Sequence, residues 1–280
     1  MWLIDLILDL LCLLLWISWR VASAAPDDVP WQRTLLRTLR RAAPRGRLHW
    51  AYPLALIAML VLRGFLYFQM GPALHWVPQL DLDLLAVPFR SDRLGRMMIF
   101  SLLGFAQWLG GFHLWLLLLS ALARRVPEAN SLRHFIQVNL GWLDRLPGFI
   151  KLLLPLPVVT LLWAGVAWCL EHLGLMPPPV SAAQVFAHGG VLALDCLLLW
   201  QYPLAAILLL YLVHSYVFLG NSPFWEFIEG TGQTLLAPLR RLPLRLGKLD
   251  IAPLVALVSV FLIAHHGGRA LALLFQRLPR

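Results

Sequence analysis

Polar side chains stand inside long apolar runs of this chain, among them Asp5, Asp9, Gln107, His113, Asp195, Gln201 and His214. In hydrocarbon such groups are costly, so each marks either function or a hydrogen-bonded contact between helices. Asp195 lies deepest in its run. A carboxylate there would serve a cation pathway if other acids converged on it, and a packing partner is the plainer reading. His113 and His214 would be a conceivable haem pair. His265 and His266 are adjacent, point about 100° apart on a helix, and do not readily share one metal. Cys12, Cys169 and Cys196 all sit in apolar runs and form no CxxC or other metal spacing, so they read as small buried hydrophobes. No Ser–His–Asp order, Walker loop or zincin motif is present. We therefore expect no catalytic residues, no metal and no cofactor.

The elements that must carry these residues are membrane helices. The chain has 280 residues, of which 60% are hydrophobic and 13% charged, against roughly a quarter charged in soluble domains. Several apolar stretches exceed the ~20 residues that span a bilayer. The fold class is an all-α polytopic membrane protein with about six transmembrane helices. The expected spans are 3–19, 53–68, 97–123, 152–173, about 185–219 with a kink at Pro203, and 250–264. The first begins with acids rather than a basic segment, which argues for a retained span over a cleaved signal.

The net charge is +9. Its arginines are spread over several loops beside apolar helices, which fits membrane topology and anionic lipid and speaks against nucleic acid. Putting the basic linkers 20–49, 124–151 and 220–249 on the cytoplasmic side gives a consistent alternation, with both termini outside.

One of those linkers is written twice. Thr34, Leu35, Leu36, Leu39, Arg40, Arg41, Arg45, Pro53 and Leu54 recur without a gap, 200 positions on, as Thr234, Leu235, Leu236, Leu239, Arg240, Arg241, Arg245, Pro253 and Leu254. This reads as an internal repeat. Both copies predict an interfacial amphipathic helix, leucines toward the headgroup region and arginines toward lipid phosphate. Leu235, Leu239, Leu242 and Leu246 make the stripe of the second copy, which Pro243 must interrupt. Asp250 stands just before the next span and is read as its N-cap, with ion binding as the alternative. A more diverged copy is suspected around Pro147 and Pro155. The resulting division is 1–70, a first repeat; 71–184, a middle region with two spans; and 185–280, a C-terminal repeat. The copies would be parallel.

The stretches NSPFWEF (221–227) and LLAPLRRLPLRLGKLDIAPLVAL (235–257) resemble the YggT family of bacterial and chloroplast membrane proteins. The matching positions are Asn221, Pro223, Pro238, Arg240, Arg241, Pro243, Gly247, Leu249, Asp250, Pro253 and Leu254. The N-terminal copy lacks the Asn-Pro turn and has Trp50 where the second has Asp250. The resemblance implies a multi-pass protein of a bacterial inner membrane. For the family it implies roles ranging from osmotic tolerance with cation uptake to envelope organisation and, in plastids, cofactor assembly or nucleoid organisation. The expected function is a non-enzymatic scaffold or assembly factor. Arg40, Arg41, Arg45, Arg240, Arg241 and Arg245 would bind anionic lipid and another membrane protein or a second copy. The alternative is a cation channel or transporter subunit using Asp195.

Overall fold

The computed structural model describes residues 2–24, 50–73, 77–89, 91, 93–175, 181–217, 220, 222–239, 245–246 and 249–278. It is built of helices, with two short antiparallel strand pairs. The chain divides into two compact units, 1–81 with 85–110, and 82–84 with 111–280.

The first unit holds α1 (Trp2–Ala24), α2 (Ala51–Ala73) and the first half of α3 (Leu94–Leu122). Cys12, Leu56 and Phe105 form its apolar centre, flanked by Trp16, Met59 and Leu109. Gly64 of α2 faces α3 so closely that a Cβ there would lie 2.6 Å from the Met98 sulfur. That is the small-residue contact expected where lipid supplies no hydrophobic drive between helices. Ser101 Oγ spans the same crossing, donating to the Leu60 carbonyl at 2.9 Å. The connector between α2 and α3 carries β1 (Gln79–Asp81) and β2 (Ala86–Pro88). Phe89, fully buried, follows them and packs its ring 5.5 Å from Phe100. The Gln107 amide, one of the polar groups singled out above, donates to the Asp81 carbonyl at 2.7 Å and so ties β1 to α3.

The second unit begins with the rest of α3. A 3-10 turn (Ala123–Arg125), α4 (Ser131–Leu140), a second 3-10 turn (Gly141–Arg145), α5 (Gly148–Leu153) and α6 (Pro155–His172) follow. Then come α7 (Ala182–Leu198), α8 (Gln201–Tyr216), α9 (Pro223–Leu236), the strand pair β3 (Arg245–Leu246) and β4 (Leu249–Asp250), and α10 (Ala252–Arg277). The core gathers Leu116, Leu117, Val126, Ile136, Leu140, Ile207, Phe227 and Ile228, so α3, α4, α8 and α9 share one apolar centre. Gly189 brings α7 onto α6, where a Cβ would sit 3.1 Å from the Thr160 carbonyl.

The long run around Pro203 breaks where proline chemistry requires. Pro203 lacks an N–H, which frees the carbonyl four residues earlier, Leu199. The helix stops at Leu198 and restarts at Gln201, so the break lies upstream of the proline at which a kink was expected. In a membrane a freed carbonyl needs a protein donor. The Tyr202 N–H reaches it at 3.4 Å and Trp115 Nε1 adds a second donor at 3.2 Å, while Trp200 Nε1 returns a bond to the Leu114 carbonyl at 3.0 Å.

Among the described residues five helical stretches are long and apolar enough to cross a membrane: 51–71, 94–125, 148–172, 182–216 and 252–277. They correspond to five of the six expected spans. The remaining one, α1, forms a helix of 23 residues that carries Asp5 and Asp9.

Candidate functional site

Two polar clusters stand out, one in each unit. The first is built on α1 and α2. Asp5 and Asp9 are one helical turn apart on α1, and Arg63 and Tyr67 are one turn apart on α2, so four polar groups face each other between two apolar helices. Arg63 Nη1 donates to Asp9 Oδ1, and Nη2 donates to Oδ2 at 3.2 Å, a two-pronged ion pair. Arg63 Nε donates to the Tyr67 hydroxyl at 2.9 Å, and that hydroxyl donates in turn to Asp5. Arg63 and Asp9 are only 2% and 3% exposed. Tyr67 and Phe89 both pack against Phe100, which adds an apolar wall beside the cluster. Each carboxylate is thus matched inside the unit. The chemistry is that of a closed, hydrogen-bonded buried pair, which is strongly destabilised when one partner is removed.

Asp5 and Asp9 were visible in the sequence, but their partner was missed. The signal was there: Arg63 is a lone cation in the middle of an apolar span, and such a residue demands a counter-ion. The pairing itself joins residues 54 positions apart.

The second cluster lies where α3 ends and α6 has not yet begun. Asn130 caps α4, its Oδ1 accepting from the Leu132 and Arg133 N–H groups at 3.0 and 3.4 Å. Its amide donates to the Pro223 carbonyl at 2.7 Å and to Glu226 at 3.0 Å. One side chain therefore fastens the start of α9 to the start of α4. Beside this joint is a cleft of about 280 Å³, lined by Ser120, Arg124, Arg133, Asp144, Gly148 and Lys151 among others. Lys151, only 6% exposed, donates to Ser120 Oγ at 2.6 Å and pairs with Asp144 at 3.1 Å. Burial pushes the Asp144 carboxyl up, but the hydrogen bonds from Ser120 and Lys151 and the Lys151 charge outweigh it. They hold Asp144 below the usual carboxylate value.

Unlike Asp5 and Asp9, the residues Asp195, His113 and His214 form no such cluster among the described residues. Asp195 is buried in α7 at 7% exposure, and its Oδ1 has no hydrogen-bond partner among the described residues. His214 stacks its ring flat on Trp225 at 5.0 Å, with its Nδ1 buried and without a hydrogen bond among the described residues. His113 has its ring edge-on to Phe112. Among the described residues no group of three or more His, Cys, Asp or Glu could hold a metal ion.

Arg40, Arg41, Arg45, Arg240, Arg241, Asn221 and Gly247 lie outside the described residues, as does the whole first basic linker. Pro223 opens α9, and Pro253 sits in the first turn of α10, where a missing N–H costs nothing. Two expectations for the last linker are corrected. The amphipathic helix stops at Leu236, ahead of Pro243, where its interruption was expected, and Arg245 pairs with Asp250 in a two-strand ladder. Asp250 is therefore not the cap of α10; that position falls to Ile251, which offers no side-chain acceptor. Proline denies a continuing helix its N–H, and Arg245 and Leu246 pair instead with the segment leading into α10.

Residues 193–266 match the CCB3/YggT family model. The match runs from the second half of α7 through α8, α9 and the strand pair into α10. No curated protein and no solved structure matches the chain.

Proposed function

We propose that this membrane protein, which carries a CCB3/YggT segment at residues 193–266, is a non-enzymatic scaffold or assembly factor of a bacterial inner membrane. Its basic linkers dock on anionic lipid and on a second membrane protein or a second copy. What carries the reading is the duplicated Arg-Arg linker, Arg40-Arg41 and Arg240-Arg241, in a chain with no recognisable catalytic motif. The repeated arrangement of 1–70 and 185–280 belongs to the same proposal. The test is a quadruple Gln replacement of those four arginines, with mild-detergent co-purification from the native membrane as readout. Docking requires that the partner is lost while membrane insertion is retained. An unchanged co-purified set would end this reading.

A second reading has one observation in its favour. Asp195 is a buried carboxylate in an apolar helix, with one oxygen unpartnered among the described residues, the kind of group that can face an ion. A cation channel or transporter subunit would show flux in liposomes that Asp195→Asn reduces, whereas flux that ignores the substitution removes Asp195 from any pathway.

A further inference from the structure

We propose that the cleft lined by Ser120, Arg124, Arg133, Asp144, Gly148 and Lys151 binds a phosphate group at the membrane surface.

The charges are unbalanced in favour of an anion. Asp144 is matched by Lys151 at 3.1 Å, which leaves Arg124 and Arg133 as surplus cations facing the same space. Arg133 is held in place by the Val126 carbonyl, and among the described residues its ion-pair partner is the well-exposed Glu128, at 3.8 Å. Among the described residues Arg124 is in no ion pair, and its guanidinium lies across Gly148, where a Cβ would collide with it. The missing side chain at Gly148 is therefore what lets Arg124 lie over the cleft. Two guanidinium forks and a buried ammonium are the donor set that phosphate oxygens accept from. A volume of about 280 Å³ admits a phosphate with the first atoms of what carries it.

The position narrows the source. The cleft joins the ends of two helical stretches that are long and apolar enough to cross a membrane, 94–125 and 148–172. Trp142 and Phe149, each 70% exposed, stand beside it, the aromatic residues that favour a headgroup boundary. A phospholipid headgroup and a free phosphate offer the same oxygens, and the experiment separates them. The inference rests on the membrane reading of these helices and not on the docking role of the Arg40 and Arg240 linkers.

The test is native mass spectrometry of the full chain in detergent. The chain is titrated with phosphatidylglycerol, with phosphatidylcholine and, separately, with inorganic phosphate. The site requires retention of phosphatidylglycerol over phosphatidylcholine, or binding of inorganic phosphate. Phosphate competing the lipid away identifies a free-phosphate site; lipid bound without competition identifies a headgroup site. Arg124→Gln and Arg133→Gln should each weaken binding about tenfold or more, the loss of a charged hydrogen bond. Gly148→Ala should do the same at unchanged net charge, because its methyl group displaces the Arg124 guanidinium. Arg145→Gln, an exposed cation not lining the cleft, should bind as the parent does. Parent-like binding by all three cleft variants overturns the proposal, and so does an equal loss in Arg145→Gln, which would mean general basicity. Size-exclusion profiles confirm folding, and the exposed Arg124 carries the test alone if Gly148→Ala does not fold.

Discussion

Arg63 is the side chain on which the first unit turns. It is a cation sealed between two apolar helices, with both prongs on Asp9 and its Nε on Tyr67. Replacing it by Gln strands a buried carboxylate, and the cost should be about 3–5 kcal/mol. The double change Arg63→Gln with Asp9→Asn should recover much of that, because neither charge is then left unmatched. Thermal unfolding in detergent measures both, and a double variant as unstable as the single one would show that the pair is not what holds α1 to α2. Asp144 makes a pH-dependent prediction in the second unit. Its carboxyl is held below the usual value, so the folded state prefers the ionised form. That contribution is present above the ordinary carboxylate pKa and is lost as pH falls through the lower folded value. Asp144→Asn should therefore be less stable than the parent at neutral pH by about 1–2 kcal/mol. The gap should close on acidification below about pH 4. A gap independent of pH would mean that the amide is a poorer fit and the charge irrelevant.

Among the elements, the α7–α8 break and the seat of α9 are the ones with a single identifiable cause. The break depends on Pro203 freeing the Leu199 carbonyl, to which Trp115 and the Tyr202 N–H both donate. Trp115→Phe keeps the ring and removes one of the two donors, leaving the Leu199 carbonyl to the longer Tyr202 N–H bond at 3.4 Å, at a cost of about 1 kcal/mol for a lost hydrogen bond. In a Pro203→Ala background the restored N–H can take over, so Trp115→Phe should then cost much less. A thermal-stability double-mutant cycle reads the coupling, and additive effects would detach the indole from the break. The seat of α9 depends on Gly232, where a Cβ would lie 2.5 Å from a ring carbon of Tyr211. Gly232→Ala should destabilise by about 1–3 kcal/mol through overpacking.

For the whole chain, the prediction concerns sidedness. Asn130 binds α9 to the start of α4, so the linkers that follow α3 and α8 lie together. Cysteines placed at the exposed Glu128 and Glu229 should both react with an impermeant maleimide from one side of the membrane only. Labelling from opposite sides would contradict the joint.

Sequence alone determined the class and most of the helices, since hydrocarbon leaves a chain no choice but to satisfy its backbone within each apolar run. It also determined where first-turn prolines open helices, and the family segment at the C-terminal end, because these are properties of neighbouring residues. Tertiary structure decided everything that joins distant residues: Asp9 to Arg63, Asn130 to Glu226, Trp115 to Leu199, and the cleft around Lys151. It also decided that Asp250 enters a strand and leaves the helix cap to Ile251, because Arg245 pairs with it across the ladder. Polar groups in an apolar surround must find partners, but spacing along the chain says only that a partner is needed. Which one is met depends on how the helices cross.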